Sequence, residues 1–214
     1  MISKTSLPRK ASRELRRQQL IEATIKTIAH RGFSQTTMTD VAATAGVSHG
    51  LVNFHFHTKE KLLTETLLFM AQEYQSNWAA ALVAAAPDPA SQLNALIVAD
   101  FNDRICTPDK LAAWCAFWGE AQSRPIYLEQ CGANDRNYIV MKEEVCRRLV
   151  AEGGYSIDPA RAARVLRVTI EGVWLDLMAT AEPYSKDEAL KTVFFCAAAF
   201  FPGHFSVDGL KLRR

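Results

Sequence analysis

No C-x-x-C pair occurs in this chain, and its five cysteines, Cys106, Cys115, Cys131, Cys146 and Cys196, form an odd, scattered set. That spacing offers neither a disulfide framework nor a zinc site; reduced cysteines acting as small hydrophobes are the simpler reading. Long apolar stretches are missing too. Even a run as long as any here, Val193 to Phe201, falls far short of the roughly 20 residues that cross a bilayer. Met1 to Arg17 is basic without the apolar centre of a signal peptide. The expectation is a cytoplasmic protein with no membrane partner. No alternating strand pattern with hairpin turns, no internal repeat and no low-complexity tract beyond the basic terminus is found. Nucleophile motifs, metal constellations and cofactor loops are absent as well, so neither catalytic residues, nor a metal, nor a cofactor is expected.

What is present is a chain of 214 residues, 49% hydrophobic, with a net charge of +2 that hides an asymmetry. Up to Lys61 there are ten basic and four acidic side chains, a net of +6, so the remainder carries −4. A basic head on a mildly acidic body suits a polyanion, either nucleic acid or an anionic membrane surface. Almost every segment is punctuated like a helix. The signals predict helices over Ser12 to Arg31, from an N-cap at Thr39 to Gly46, from Ser48 to His57, and from Thr58 until Pro87 and Pro89 break the pattern. Further helices are predicted over Ser91 to Ile105, from Thr107 to Pro125, over Ile126 to Ala151, from Asp158 to about Ala181, and from a capping box at Ser185 and Glu188 to Phe201. The predicted fold is all-α, with about nine helices. A basic arm and DNA-binding bundle would occupy 1–57 and a helical body 58–214, the long fourth helix being shared between them.

The stretch DVAATAGVSHGLVNFHF, starting at Asp40, holds two short helices pinched together at Gly46. At 100° per residue Val47, Leu51 and Phe54 share a narrow arc that would pack on Val41 and Ala45, leaving His49, Val52 and Asn53 opposite, with Ser48 at the flank. Two helices joined by a glycine turn, the second polar on one side, fit either a generic αα-hairpin of a bundle or a helix-turn-helix whose second helix can enter the major groove, and the basic head favours the latter. Asparagine pairs bidentately with adenine, while serine and histidine bond bases or phosphates. The helix starts at Thr39 and Thr58 offer N–H groups to phosphates, and Lys59 and the Arg13 to Arg17 cluster add charge. His55 and His57 diverge on a helix and lack a carboxylate or cysteine partner in metal-binding pattern.

The segment IEATIKTIAHRGFSQTTMTDVAATAGVSHGLVNFHFHTKEKLL resembles the TetR family of bacterial transcriptional regulators. The likeness rests on Gly32-Phe33, Thr37, Thr39, Val41-Ala42, Ala45-Gly46-Val47-Ser48, Gly50, His55, Phe56 and Lys59, and covers about the N-terminal quarter of the chain. It implies a DNA-binding head followed by a helical domain that binds a ligand and dimerises. It implies DNA contacts at Thr37, Thr39, Ser48, His49, Gly50, Asn53, His55 and Lys59, with Arg16 and Arg17 from the basic cluster. One departure is that Asn53 and Phe54 stand where many members carry two tyrosines, which removes a phosphate-bonding hydroxyl and leaves the operator untransferable. AAWCAFWGEA from Ala112 and IEGVWLDLM from Ile170 are similar to segments of the family's choline-responsive repressors.

Trp114 and Trp118 are one helical turn apart, Phe117 is beside them, and Trp174 comes from a later helix. Such rings either fill a core or cage a quaternary ammonium by cation–π attraction, and the resemblance favours a choline-like or other small amine as effector. Asp103, Glu120, Glu171 and Asp176 are candidate acidic complements. The final two helices are apolar around most of their circumference, with Val165, Leu166, Val168, Ile170, Val173 and Leu175, then Val193, Phe194, Phe195, Phe200 and Phe201. That implies burial on both sides, either at the centre of the monomer or in a homodimer through these helices; the resemblance favours the homodimer, which would match a palindromic double-stranded operator. The expected function is a ligand-responsive repressor. The alternatives are a helical enzyme acting on a small amine and a membrane-surface adaptor using the basic head.

Overall fold

The structure, a computed structural model, describes residues 9–121, 125–182 and 184–211, with backbone only at 9–11, 125–128 and 130–135. Lys4 and the arm before Arg9, and the side chain of Cys131, lie outside the described residues. Nine helices are found among the described residues: α1 (Arg9–Arg31), α2 (Met38–Ala45), α3 (His49–Phe56), α4 (Lys59–Ala84), α5 (Pro89–Ala99), α6 (Pro108–Glu120), α7 (Pro125–Gly153), α8 (Pro159–Ala179) and α9 (Lys186–Phe200). A two-residue antiparallel pair follows, β1 (Phe205–Ser206) with β2 (Gly209–Leu210).

Most ends fall where their chemistry places them. Thr58, Thr107, Asp158 and Ser185 each cap a helix by accepting a backbone N–H. Gly46 closes α2 in the left-handed conformation, φ 65°, where a Cβ would be strained. Three expectations need correction. Thr37, not Thr39, caps α2, in a capping box with Asp40 that satisfies donors in both directions. Asp88 caps α5 with Pro89 at its first turn, ahead of the predicted Ser91, and α5 ends at Ala99 instead of Ile105. Beyond it, the Asn102 side chain accepts from the N–H groups of Arg104 and Ile105 and diverts the chain into turns. The β1–β2 hairpin was not expected, being too short to leave an alternating pattern.

Two apolar cores form. The head core joins Leu20, Ile25 and Ile28 of α1, Val41 of α2, Val52 and Phe56 of α3, and Leu62, Leu63, Leu67 and Met70 of α4. The body core joins Trp78 of α4 to Leu93 and Leu96 of α5, Leu149 of α7, Leu166 and Ile170 of α8, and Val193 of α9. Helix α4 thus serves both. So does α6, whose Leu111 enters the body core while Ala113 and Phe117 enter the head core. Cys106 and Cys146 are buried thiols, and burial pushes Cys146 up to about 12, an unreactive setting. Among the described residues no helix is long and apolar enough to cross a membrane, and no group of three or more His, Cys, Asp or Glu could hold a metal.

Candidate DNA interface and effector chamber

Helix α3 is only two turns long, and what it buries decides what it shows. Val52, His55 and Phe56 face the head core, whereas Ser48, His49, Gly50, Asn53 and Phe54 face outward. The predicted orientation was therefore rotated: Val52 is fully buried and Phe54 is 61% exposed. Val52 and Phe56 are one turn apart and join the head core with α1, α2 and α4, and their burial outweighs the arc of Val47, Leu51 and Phe54. His49 and Asn53 remain a matched outward pair at i and i+4, and Ser48 makes no side-chain cap bond, so its hydroxyl is free for a partner. Phe54 joins this surface with Arg13 over its ring at 5.8 Å, a feature the sequence reading placed inside.

Two expected DNA contacts turn inward. The ring of His55 is buried with Nδ1 unpartnered, so its side chain cannot meet DNA in this arrangement. Burial, then the charges of Arg13, Arg17 and Arg16, holds its pKa below the ordinary histidine value. Arg17 pairs with Glu65, donates to the His55 carbonyl at 3.2 Å and lies over the Phe56 ring at 4.9 Å. It clamps α1 to α3 and α4, whereas Arg16 is exposed. The Thr37 hydroxyl is engaged with Asp40 at 2.6 Å, while Thr39, two residues on, is exposed. The bond from Thr37, with Arg31 nearby, holds the Asp40 carboxyl below its usual range. Lys59 Nζ donates to the Ser34 carbonyl at 2.9 Å, so it braces the α1–α2 connection.

Between α3 and α4 the backbone is strained. His57 has φ 62° and ψ −42°, and the Thr58 N–H donates across it to the Phe56 carbonyl at 2.7 Å. This is the rarer form of the γ-turn, unfavourable for a residue with a Cβ. It sets the angle at which α4, capped by Thr58, leaves α3.

In the body, a cavity of about 370 Å³ opens among α4, α5, α6, α7 and α8. Trp114 and Trp118 stack in its wall, centroids 6.1 Å apart, and Trp174 meets the Tyr74 ring edge-on at 6.0 Å. Trp118 is 43% exposed and Trp174 only 4%, its indole N–H without a partner. Phe117 does not join them. It points the other way from α6 and meets Phe33 of the head edge-on.

The carboxylate at the centre of the chamber is Asp100, which the sequence reading did not single out. Tyr74 and Tyr138 donate to its two oxygens at 2.8 and 3.0 Å, and the buried Lys142 Nζ is 3.8 Å from it. Lys142 donates to the Tyr138 hydroxyl at 2.8 Å and lies 4.8 Å from that ring's centroid. Burial pushes the Asp100 carboxyl up and the Lys142 ammonium down, each opposed by the other's charge. Glu171, paired to Arg167 at 2.6 Å, lines the same cavity. Asp103 instead pairs with Lys186, and Asp176 accepts from Thr180. The signal was a lone acid ending the apolar LIVAD run and a lone lysine in YIVMK.

The N-terminal residues 20–66 match the model of bacterial regulatory proteins of the tetR family, and residues 89–202 match the C-terminal model of BetI-type transcriptional repressors. The chain belongs to the TetR family. The HTH-type transcriptional regulator BetI of Burkholderia thailandensis is 31% identical over 188 residues, covering 86% of this chain and 93% of that protein. The BetI regulator of Paraburkholderia xenovorans is likewise 31% identical, over 87% of this chain and 93% of its own. A solved structure of a candidate transcriptional regulator from Pseudomonas aeruginosa PAO1, 27% identical, superposes with a TM-score of 0.74, covering 89% of this chain and 92% of that one. A similar fold, 20% identical with TM-score 0.73 and covering 84% and 94% of the two chains, was solved from Saccharomonospora viridis in complex with choline. Membership of the TetR family, with a BetI-type body, makes this chain a DNA-binding transcriptional regulator and sets aside the enzyme alternative.

Proposed function

We propose that this TetR-family protein is a cytoplasmic homodimeric repressor that binds a palindromic double-stranded operator and answers to a small effector of about choline's size. The single observation that carries the reading is the outward surface of Ser48, His49, Asn53 and Phe54, backed by the positive side chains of α1, on a head joined through α6 to an aromatic cavity. The head lies in 1–57 and the body in 58–214, with α4 shared. The proposed direct DNA contacts are Arg16, Thr39, Ser48, His49, Gly50 and Asn53, with the first-turn N–H groups of α2, just beyond the Thr37 cap, and of α4, at Lys59, open to phosphates.

Outward-facing Val165, Val168 and Leu175 of α8 and Phe195 of α9 support a dimer face. They stand opposite Leu166, Ile170 and Val193, which fill the body core. Two such faces would form an isologous four-helix contact and set two α3 helices in successive major grooves. The choline complex of a similar fold supports an effector of that size in the chamber. The effector would act by population shift, binding best to a conformer whose two heads are wrongly spaced for the operator.

The test is a titration of the protein against duplexes from its own upstream region and a scrambled control, over a salt series, with and without choline. Specific, steeply salt-dependent binding is expected. Equal affinity for native and scrambled duplexes would overturn the regulator reading; indifference to choline would remove only that effector.

A further inference from the structure

The aromatic chamber already contains a positive charge of its own. Lys142 places its ammonium 4.8 Å from the Tyr138 ring centroid and 3.8 Å from Asp100, the position a caged cation would take. The two carboxylates of the lining, Asp100 and Glu171, already face two cations, Lys142 and Arg167, so a further ammonium placed there would compete for counter-charge with groups already present.

Hydrogen-bonding capacity points the same way. Both oxygens of Asp100 already accept, from Tyr74 and Tyr138, and one oxygen of Glu171 accepts from Arg167. The Tyr138 hydroxyl accepts from Lys142 while donating to Asp100. The donors, by contrast, are underused. Lys142 has three N–H groups, of which one is bonded to Tyr138. The Trp174 indole N–H is buried in the cavity wall with no partner at all. A buried donor left unpaired is costly, so a ligand gains most by bringing an acceptor, and a charged acceptor gains more than a neutral one.

We propose that the effector carries a carboxylate, which binds at Lys142 and Trp174 while its apolar or trimethylammonium end rests on Trp114 and Trp118. This rests on the chamber being an effector site, as in the preceding section, and names the chemical group that the site selects. The ligand class is a small carboxylate, zwitterionic or simply anionic, not a bare quaternary ammonium alcohol.

Three compounds of nearly one shape separate the possibilities: choline; trimethylglycine, which replaces its hydroxymethyl group with a carboxylate; and the tert-butylacetate anion, which keeps the carboxylate and removes the positive charge. Binding to the full-length protein is read by calorimetry and by quenching of tryptophan fluorescence. Trimethylglycine is expected to bind about tenfold or more tighter than choline, the difference a charge-assisted bond provides. Tert-butylacetate should retain binding if the carboxylate dominates, and it distinguishes a simple anion site from a zwitterion site. Trp174→Phe, which removes the N–H and keeps a ring, should shrink the preference for the carboxylate compounds over choline. Choline binding as tightly as trimethylglycine, or no binding by any of the three, would overturn the proposal. The operator titration without any compound separately decides whether the protein is a DNA-binding repressor.

Discussion

Phe33 of the head and Phe117 of the body meet edge to face, ring centroids 5.6 Å apart and planes at 74°. Phe117 is carried by the same helix that presents Trp114 and Trp118 to the chamber, so a displacement of that helix by a bound effector reaches the head through this ring pair. Phe117→Leu should therefore leave operator affinity near that of the parent and blunt the effector response. Phe117→Ala should cost about 3–5 kcal/mol in urea unfolding, as for other large buried aromatics. An unchanged effector response in a folded Phe117→Leu protein would remove this pair from the coupling.

Asn53 and Arg16 should divide specificity from general affinity. Both are exposed, Asn53 on α3 and Arg16 on α1. Asn53→Ala is expected to cost about 1–3 kcal/mol on the operator and relax discrimination at one or two base pairs. Arg16→Ala should weaken native and scrambled duplexes alike and reduce the salt slope by about one. Binding titrations at several salt concentrations on both duplexes would separate these outcomes.

Strain at His57 should be releasable. Its φ of 62° lies where glycine is at ease and a Cβ is not. His57→Gly is expected to raise stability by about 1 kcal/mol net of glycine's greater freedom in the unfolded chain. Thermal unfolding that moves downward would contradict it.

His55 gives the head an acid sensitivity with a definite sign. Its folded pKa is depressed by burial and by neighbouring arginines, so the unfolded chain takes up the proton first as pH falls. Stability should be full above the ordinary histidine pKa and decline from there toward the lower folded value. His55→Gln should flatten that part of the stability–pH curve, as measured by melting between mildly alkaline and mildly acidic buffers.

Phe195 is 70% exposed on α9 beside an outward apolar edge of α8. Phe195→Glu should shift the protein to monomer in light scattering, since a charge would be desolvated at the centre of the contact. Operator affinity should fall with it, because one head then binds a half-site alone. A dimer that survives this substitution would place the contact elsewhere.

Much of the fold was legible because its signals are local. Gly46, Thr58, Asp158 and Ser185 mark helix ends through bonds made within a few residues, and those ends were found. The facing of α3 was not, since eight residues hold two competing apolar arcs and the choice depends on α1 and α4. The Trp114–Trp118 pair was readable from spacing, whereas Phe117, one residue away, serves the opposite side of the helix. Asp100 and Lys142 carry no motif, and only the packing of α5 against α7 brings them together. Arg17 read as a DNA contact because a basic cluster does not reveal which member Glu65 removes.

Helix α4 runs without interruption from the wall of one core, at Leu62 and Leu63, into the other at Trp78. A shared continuous helix makes the two cores a single melting unit, because neither can lose its wall while the other keeps its own. A fragment ending at residue 57 would be an open half-shell, lacking Leu62, Leu63, Leu67 and Met70. Whatever tightens the body, whether a bound effector or a second copy, then slows amide exchange deep in the head by mass action alone. Part of the protein's regulation is in this sense written into how cooperatively it unfolds.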